Sequence, residues 1–195
     1  MCSGTLVAAM TDGANVAMQD DLAAIVGHEH VLVDDIGTYA TDWTGRYSAR
    51  QAVVVRPYST AQVSAIIDLC RRRQVALVPQ GGNTGLVGGG VPMDGEIVLS
   101  LRRFDGIGTV DTSSRQVTVG AGVTLAALQQ TAEDSGLRYA VDFGARGSAT
   151  VGGMVATNAG GINVVRHGMT RDQMVGVEAV LGDGRVLSSL SGLEK

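Results

Sequence analysis

Apolar and polar positions change period several times along the 195-residue chain, and each change predicts an element. Val53-Val54-Val55 is a β-branched run closed by Arg56-Pro57, which predicts a buried strand. Ser59 and Gln62 then stand at capping-box spacing. Val63, Ile66, Ile67 and Cys70 follow at i, i+3, i+4 and i+7, one apolar helix face, and Arg71-Arg72-Arg73 complement the helix C-terminus. Residues 75–78 predict a second strand, so 53–78 form a β-α-β unit with parallel strands and a right-handed crossover. Residues 97–101 are a further strand, and 107–111 with 115–120 predict a hairpin around Thr112-Ser113-Ser114. Thr124 caps a helix with the inner stripe Leu125, Leu128 and Ala132 and the stop signal Gly136, and Thr150 caps a shorter one. Residues 175–181 and 185–187, joined by Gly182-Asp183-Gly184, read as a hairpin. At the other end residues 20–26 predict a short helix stopped by Gly27, and residues 1–18 a disordered leader. Residues 34–51, with Tyr39, Asp42, Trp43, Tyr47 and Arg50, read as a long polar-aromatic excursion.

The segments between these elements are unusually rich in glycine. The chain has 28, about twice the usual share, and half of them are gathered in three clusters. The first, Pro79-Gln80-Gly81-Gly82-Asn83-Thr84-Gly85-Leu86-Val87-Gly88-Gly89-Gly90, leaves a predicted strand. Glycine lets a ligand come close to the backbone, and successive exposed N–H groups make a concavity suited to phosphate. Asn83 and Thr84 add side-chain donors. The second cluster, Gly120-Ala121-Gly122-Val123-Thr124-Leu125, has two glycines of a dinucleotide fingerprint. It lacks the third, and no acidic residue stands about 20 positions later at the end of a strand in the βαβ frame, so a Rossmann domain is rejected in favour of a tight strand-to-helix turn. The third runs from Gly144 to Gly161 around the short helix capped by Thr150.

A net charge of −4 argues against a nucleic-acid footprint but is compatible with one dianionic cofactor held by backbone dipoles. Of the 15 basic residues only Lys195 is lysine, which removes Gly-Lys-Ser/Thr nucleotide chemistry and an internal Schiff base. Cys2 and Cys70 make neither a disulfide framework nor a metal cluster, and Cys70 sits on the apolar helix face. His28-Glu29-His30 places two histidines on one side of a predicted strand without the third or fourth ligand of a zinc site, so no metal is expected. No apolar run reaches membrane-spanning length and no signal peptide is evident, so a cytoplasmic setting is expected. His167 is the only histidine near a glycine cluster.

Taken in order and spacing, these clusters resemble the FAD-binding domain of the vanillyl-alcohol oxidase / p-cresol methylhydroxylase (PCMH) type. The likeness is to the branch of D-2-hydroxyglutarate and D-lactate dehydrogenases. The strings are residues 79–89, Gly144-Ala145-Arg146-Gly147-Ser148, Gly152-Gly153, Ala156-Thr157-Asn158-Ala159-Gly160-Gly161 and residues 176–181, with Tyr39 and Asp42-Trp43-Thr44-Gly45 also fitting. The resemblance implies an α+β fold of two α/β lobes, about 50–105 and 106–195, the second a mixed sheet with a covering helix. FAD lies in the groove between them, and residues 19–195 form the domain. It implies that Pro79, Gln80, Gly81, Gly82, Asn83, Thr84, Gly85 and Leu86 hold the pyrophosphate, and that Gly144, Gly147, Ser148, Gly152 and Gly153 line the pyrophosphate and flavin edge. By the same likeness Ala156, Thr157, Asn158, Gly160 and Gly161 pack along the ribityl chain and ring system, and Val177 meets the cofactor through its backbone. The first loop holds neither His nor Cys, so non-covalent FAD is expected.

The implied activity is oxidation of a D-2-hydroxy acid, a small-molecule substrate, with hydride passing to the flavin. The catalytic base, the substrate-binding residues and the electron acceptor are not legible in these residues. Family members continue past the position of Lys195 into the end of the FAD domain and a substrate cap, so the chain is expected to be an N-terminal portion. A truncated module without turnover, an alditol oxidase and an aryl-alcohol oxidase stand as alternatives. Uncovered apolar sheet surface leaves a homodimer open. Asn163, Ala149-Thr150 and His167 depart from the branch pattern and loosen the substrate assignment.

Overall fold

The computed structural model describes residues 12–93 and 95–190. In chain order the elements are α1 (Asp12–Val26), β1 (Val31–Leu32), α2 (Gly37–Ala40), β2 (Val53–Val55), α3 (Thr60–Arg73), β3 (Leu77–Gln80), β4 (Ile97–Ser100), α4 (Leu125–Asp134), α5 (Val151–Thr157), α6 (Val164–His167), β5 (Val177–Val180) and β6 (Val186–Ser189).

The first lobe is a four-stranded sheet of order β1-β2-β4-β3, with β4 parallel to both β2 and β3 and β1 antiparallel to β2. The strands on either side of α3 are parallel, as their spacing predicts, and β4 separates them. Val53, Val55, Ile97 and Leu99 turn to one side and pack with Met18, Leu22 and Val26 of α1 and Val63, Ile66 and Cys70 of α3. Val54 and Val98 turn to the other and meet Tyr39. Burial on both faces is why these strands read as unbroken apolar runs.

Helix α3 is capped as its sequence predicts. The Ser59 hydroxyl accepts from the Gln62 N–H at 3.3 Å, and Gln62 Oε1 accepts from the Tyr58 N–H at 2.9 Å, one residue ahead of the usual position. At its other end Gln74 turns left-handed (φ 56°) and the Val75 N–H closes onto Cys70 O at 2.9 Å. That closure moves β3 two residues downstream of the predicted start, so the strand runs through Pro79 and Gln80. Proline fits there because β3 is an edge strand with one side unpaired.

Two expectations near the N-terminus are corrected. Helix α1 begins at Asp12, because Met18 extends the buried stripe of Leu22 and Val26 by one step of four; residues 12–18 are therefore helix, and residues 1–11 lie outside the described residues. Gly27 (φ 92°) ends it, and His28–His30 form a 3-10 turn instead of a strand, with the His30 N–H on Gly27 O.

The second lobe is built on α4 and α5. The Thr124 hydroxyl accepts from the Ala127 N–H at 3.2 Å. Gly136 (φ 71°) ends α4 in a Schellman arrangement, its N–H on Glu133 O and that of Leu137 on Ala132 O. Leu125, Val141 and Met154 form one small core and Val123, Leu128 and Val151 another. The expected hairpin at 107–120 is reduced to isolated bridges, Ile107 with Val119 and Asp111 with Gln116. Asp111 Oδ1 takes the amides of Ser113 and Ser114, and such side-chain bonds compete with a ladder.

The mixed sheet expected for 106–195 is likewise absent among the described residues. Strands β5 and β6 instead pair only with each other and sit on α3. The Thr60 hydroxyl donates to Glu178 Oε1 and the Ser64 hydroxyl to Gly184 O, both at 2.6 Å, and Val180 packs on the first core.

Burial pushes the Cys70 thiol up to about 11. The protonated thiol is favoured in the fold, so its contribution to stability is whole below pH 9.0 and is lost as pH rises towards 11. In a Cys2→Ser background, a thiol reagent at pH 7.5 is expected to leave native protein unlabelled and to modify one thiol in denaturant. Rapid labelling of native protein would contradict the buried placement.

Candidate functional site

The first glycine loop leaves β3 and comes down against the turn that precedes α5. A Cβ on Gly82 would stand 1.8 Å from Ser148 O, and one on Gly81 2.1 Å from Thr150 Oγ1. The glycines at 81 and 82 are thus required by contact between the lobes, and neither takes a positive φ. Asn83 supplies the left-handed residue instead (φ 55°).

The loop is tied from behind. Gln80 is buried, and its Nε2 donates to Tyr39 O at 2.8 Å and to Gly90 O at 2.7 Å. Asn83 Nδ2 donates to Thr41 O at 2.7 Å. Arg102 Nε donates to Gly81 O at 3.1 Å, with its guanidinium 4.6 Å from the centre of the Tyr39 ring. These donors fix the loop from one side, whereas the N–H groups of residues 82–86 bond to none of the described residues. Unpaired amides on a fixed backbone are a site for an anionic ligand.

Facing the loop is a short ladder between the second and third glycine clusters. Leu125 N donates to Ala149 O, Val151 N to Val123 O and Gly152 N to Ala121 O. Here too glycine is required by packing: a Cβ on Gly120 would meet Phe104 O at 2.1 Å, and one on Gly122 would meet Leu101 O at 2.4 Å. The turn read from residues 120–125 does lead into α4, but no strand enters it, Val119 making only an isolated bridge with Ile107.

Between loop and ladder lies a cleft of about 670 Å³, within the usual range for small-molecule sites. Gly82, Asn83, Gly147, Ser148 and Thr150 are among its lining residues. Thr150 is 4% exposed, and its hydroxyl has no partner although it stands at the start of α5. Asp42 also lines the cleft, buried and held by the Thr44 hydroxyl at 2.5 Å and the Tyr47 N–H at 3.1 Å. The Thr44 hydroxyl holds its carboxyl below the usual carboxylate range, so it is ionised at neutral pH.

Of the residues expected from sequence, Gly82, Asn83, Gly147 and Ser148 come together on the cleft. Pro79 and Gln80 belong to β3, and Gly81 is held between Arg102 and Thr150. Thr84, Gly85 and Leu86 continue the loop, with Leu86 exposed. Gly144 stands at the start of the turn before Ser148, and Gly152 packs on Ala121. Gly153 lies on α5 beside Thr150 Oγ1, and Ala156 and Thr157 complete that helix. Asn158 is its left-handed cap (φ 48°), with Oδ1 accepting from the Arg171 N–H. Gly160 packs on Val164, and Gly161 on Asp142 O. Val177 stands on β5, apart from the cleft lining.

Arg102, Asp105 and Thr38 line the cleft without having been singled out from sequence. Arg102 carried one available signal, its place just past the end of a buried strand.

The sequence model of the FAD binding domain family matches residues 51–189. A protein of Oryza sativa subsp. indica named probable D-2-hydroxyglutarate dehydrogenase, mitochondrial, is 40% identical over 186 residues, covering 93% of this chain and 33% of the relative. D-2-hydroxyglutarate dehydrogenase of Xanthomonas citri pv. viticola is 42% identical over 161 residues, covering 83% and 34%. The chain thus spans about a third of the length of these curated relatives. Among solved structures, p-cresol methylhydroxylase with substrate bound matches with a TM-score of 0.74 at 19% identity, over 92% of this chain and 36% of the other.

Proposed function

We propose a function from the premise that the chain belongs to the FAD binding domain family: its inter-lobe cleft holds FAD non-covalently, as part of a longer D-2-hydroxy acid dehydrogenase. The observation that carries this is the run of unpaired N–H groups at 82–86, whose first two residues, Gly82 and Asn83, line the cleft together with Ser148 and Thr150. Five amides and the unpartnered Thr150 hydroxyl are donors without acceptors, which suits a pyrophosphate. Their dipoles hold it without a lysine, in keeping with a chain whose only lysine is Lys195.

Non-covalent attachment is supported by the residue types present. The loop at 79–90 has no His or Cys, and Cys70 is a buried thiol in the first core. The substrate class is supported by the names of the relatives, which match over most of this chain. In the whole protein, FAD supplies the two-electron acceptor for the α-carbon hydride as the hydroxy acid becomes the 2-oxo acid. The part of this chain is to bind and orient. The 82–86 amides and the Ser148 and Thr150 side chains grip the phosphates, while Gln80 and Arg102 keep the loop from moving.

The test is an absorbance spectrum of the purified chain after incubation with FAD and desalting. A retained flavin band that heat or acid releases into the supernatant is expected. A colourless protein refutes cofactor retention by this chain, and a band that stays with the precipitated protein refutes non-covalent attachment. Turnover with D-2-hydroxy acids is then measured on the longer protein with an artificial acceptor. A chain that binds FAD while the longer protein oxidises no hydroxy acid would leave only the binding module.

A further inference from the structure

A second cavity, of about 460 Å³, lies beside the cleft and is lined by Tyr39, Arg56, Tyr58, Arg102, Arg103 and Asp105. Three guanidinium groups share it with one carboxylate, and none of the three forms an ion pair with a described residue. Five other arginines are paired with acids, Arg71 and Arg72 with Asp68, Arg73 with Asp21, Arg146 with Asp142 and Arg185 with Asp183, whereas here three without an ion pair to a described residue gather on one cavity.

The cluster is also held in place. Arg103 Nη1 donates to Arg56 O at 2.8 Å, and its guanidinium lies 5.2 Å from the centre of the Tyr58 ring. Arg102 is fixed by Gly81 O and the Tyr39 ring. The Arg56 guanidinium makes no hydrogen bond to a described residue, and its full donor set remains for a ligand. Arginines fixed by carbonyls and rings keep their remaining N–H groups in a set geometry, so a ligand that binds them orders little more.

We propose that this cavity, which adjoins the FAD cleft and shares Arg102 and Asp105 with it, is a second binding site, for a small dianion, a dicarboxylate or a phosphate. Three positive groups against one negative leave an excess of two, which a dianion neutralises. The forked guanidinium matches the paired oxygens of carboxylate and phosphate alike. The proposal does not rest on the FAD assignment, because Arg56 and Arg103 line this cavity and not the cleft.

The test titrates the chain with glutarate and, separately, with inorganic phosphate, by calorimetry at constant ionic strength with chloride as the reference. Saturable one-site binding of at least one of them is expected, and which one binds assigns the source of the dianion. Arg56→Gln removes a charge without removing a hydrogen bond between described residues, and is expected to weaken binding about tenfold. Arg103→Gln is the second variant, and its thermal melt reports whether it folds. FAD retention, read from the flavin band, is expected to be unchanged in Arg56→Gln. Binding of neither dianion beyond chloride, or equal binding by wild type and Arg56→Gln, overturns the site. Loss of FAD together with dianion binding in Arg56→Gln overturns the distinction between the two sites. Dianion binding by a chain that retains no FAD supports the site and counts only against the cofactor assignment.

Discussion

Gly82→Val is expected to abolish FAD retention and to lower the melting temperature together. The added Cβ would stand 1.8 Å from Ser148 O, 2.7 Å from Ser148 C and 3.2 Å from Ala149 Cα, all of them backbone. That backbone cannot move aside cheaply, because Ser148 N is bonded to Ala145 O and Ala149 O accepts from Leu125 N. The loop must lift instead, and overpacking of this kind costs about 3 kcal/mol. For a domain of this size that is a fall of roughly 6–12 °C. Lifting the loop moves the 82–86 amides out of register with Ser148, so FAD affinity should fall more than about a hundredfold. Gly85→Ala is the matched control. Nothing lies within 4 Å of its Cβ position and its φ is not positive, so the melting temperature should hold while the flavin band weakens. An unchanged melt for Gly82→Val would refute the inter-lobe contact, and unchanged flavin retention would remove the loop from the cofactor site.

Thr150→Val is expected to act in opposite directions on the free and the loaded chain. The Thr150 hydroxyl is buried without a partner and makes no capping bond to α5, so the free fold carries a desolvated donor. Replacing it with a methyl group of similar shape should leave stability unchanged or raise it by about 1 kcal/mol. If the hydroxyl donates to a phosphate oxygen, FAD affinity should fall about tenfold or more, as for a hydrogen bond to a charged group. Melting curves with and without FAD check both signs at once. A lower melting temperature in the free chain with unchanged FAD affinity would give Thr150 a purely structural role.

Where local rules govern, the sequence was legible. The capped helix α3, the Schellman end of α4 at Gly136 and the β5–β6 hairpin follow from side chains acting within a few residues of one another. The glycine clusters were legible as close approaches but not as to what approaches. At Gly82 the near group is the Ser148 carbonyl, and at Gly122 that of Leu101, contacts separated by tens of residues. Gln80 sat within a motif expected to touch a cofactor, yet its side chain anchors Tyr39 and Gly90 from behind. No local pattern distinguishes a glutamine that faces a ligand from one that fastens the loop carrying it.

By itself, then, the sequence determined the family, the order of its main helices and strands from β2 through β6, and the lysine-free, glycine-rich chemistry of the loop, because periodicity, capping and glycine content are written in neighbouring residues. The tertiary structure decided the rest. It placed β4 between β2 and β3, seated the β5–β6 hairpin on α3, and brought Gly81 and Gly82 against Thr150 and Ser148. It also gathered Arg56, Arg102 and Arg103 around one cavity. These juxtapositions join residues far apart in the chain, and only the packing of both sheet faces fixes which of them meet.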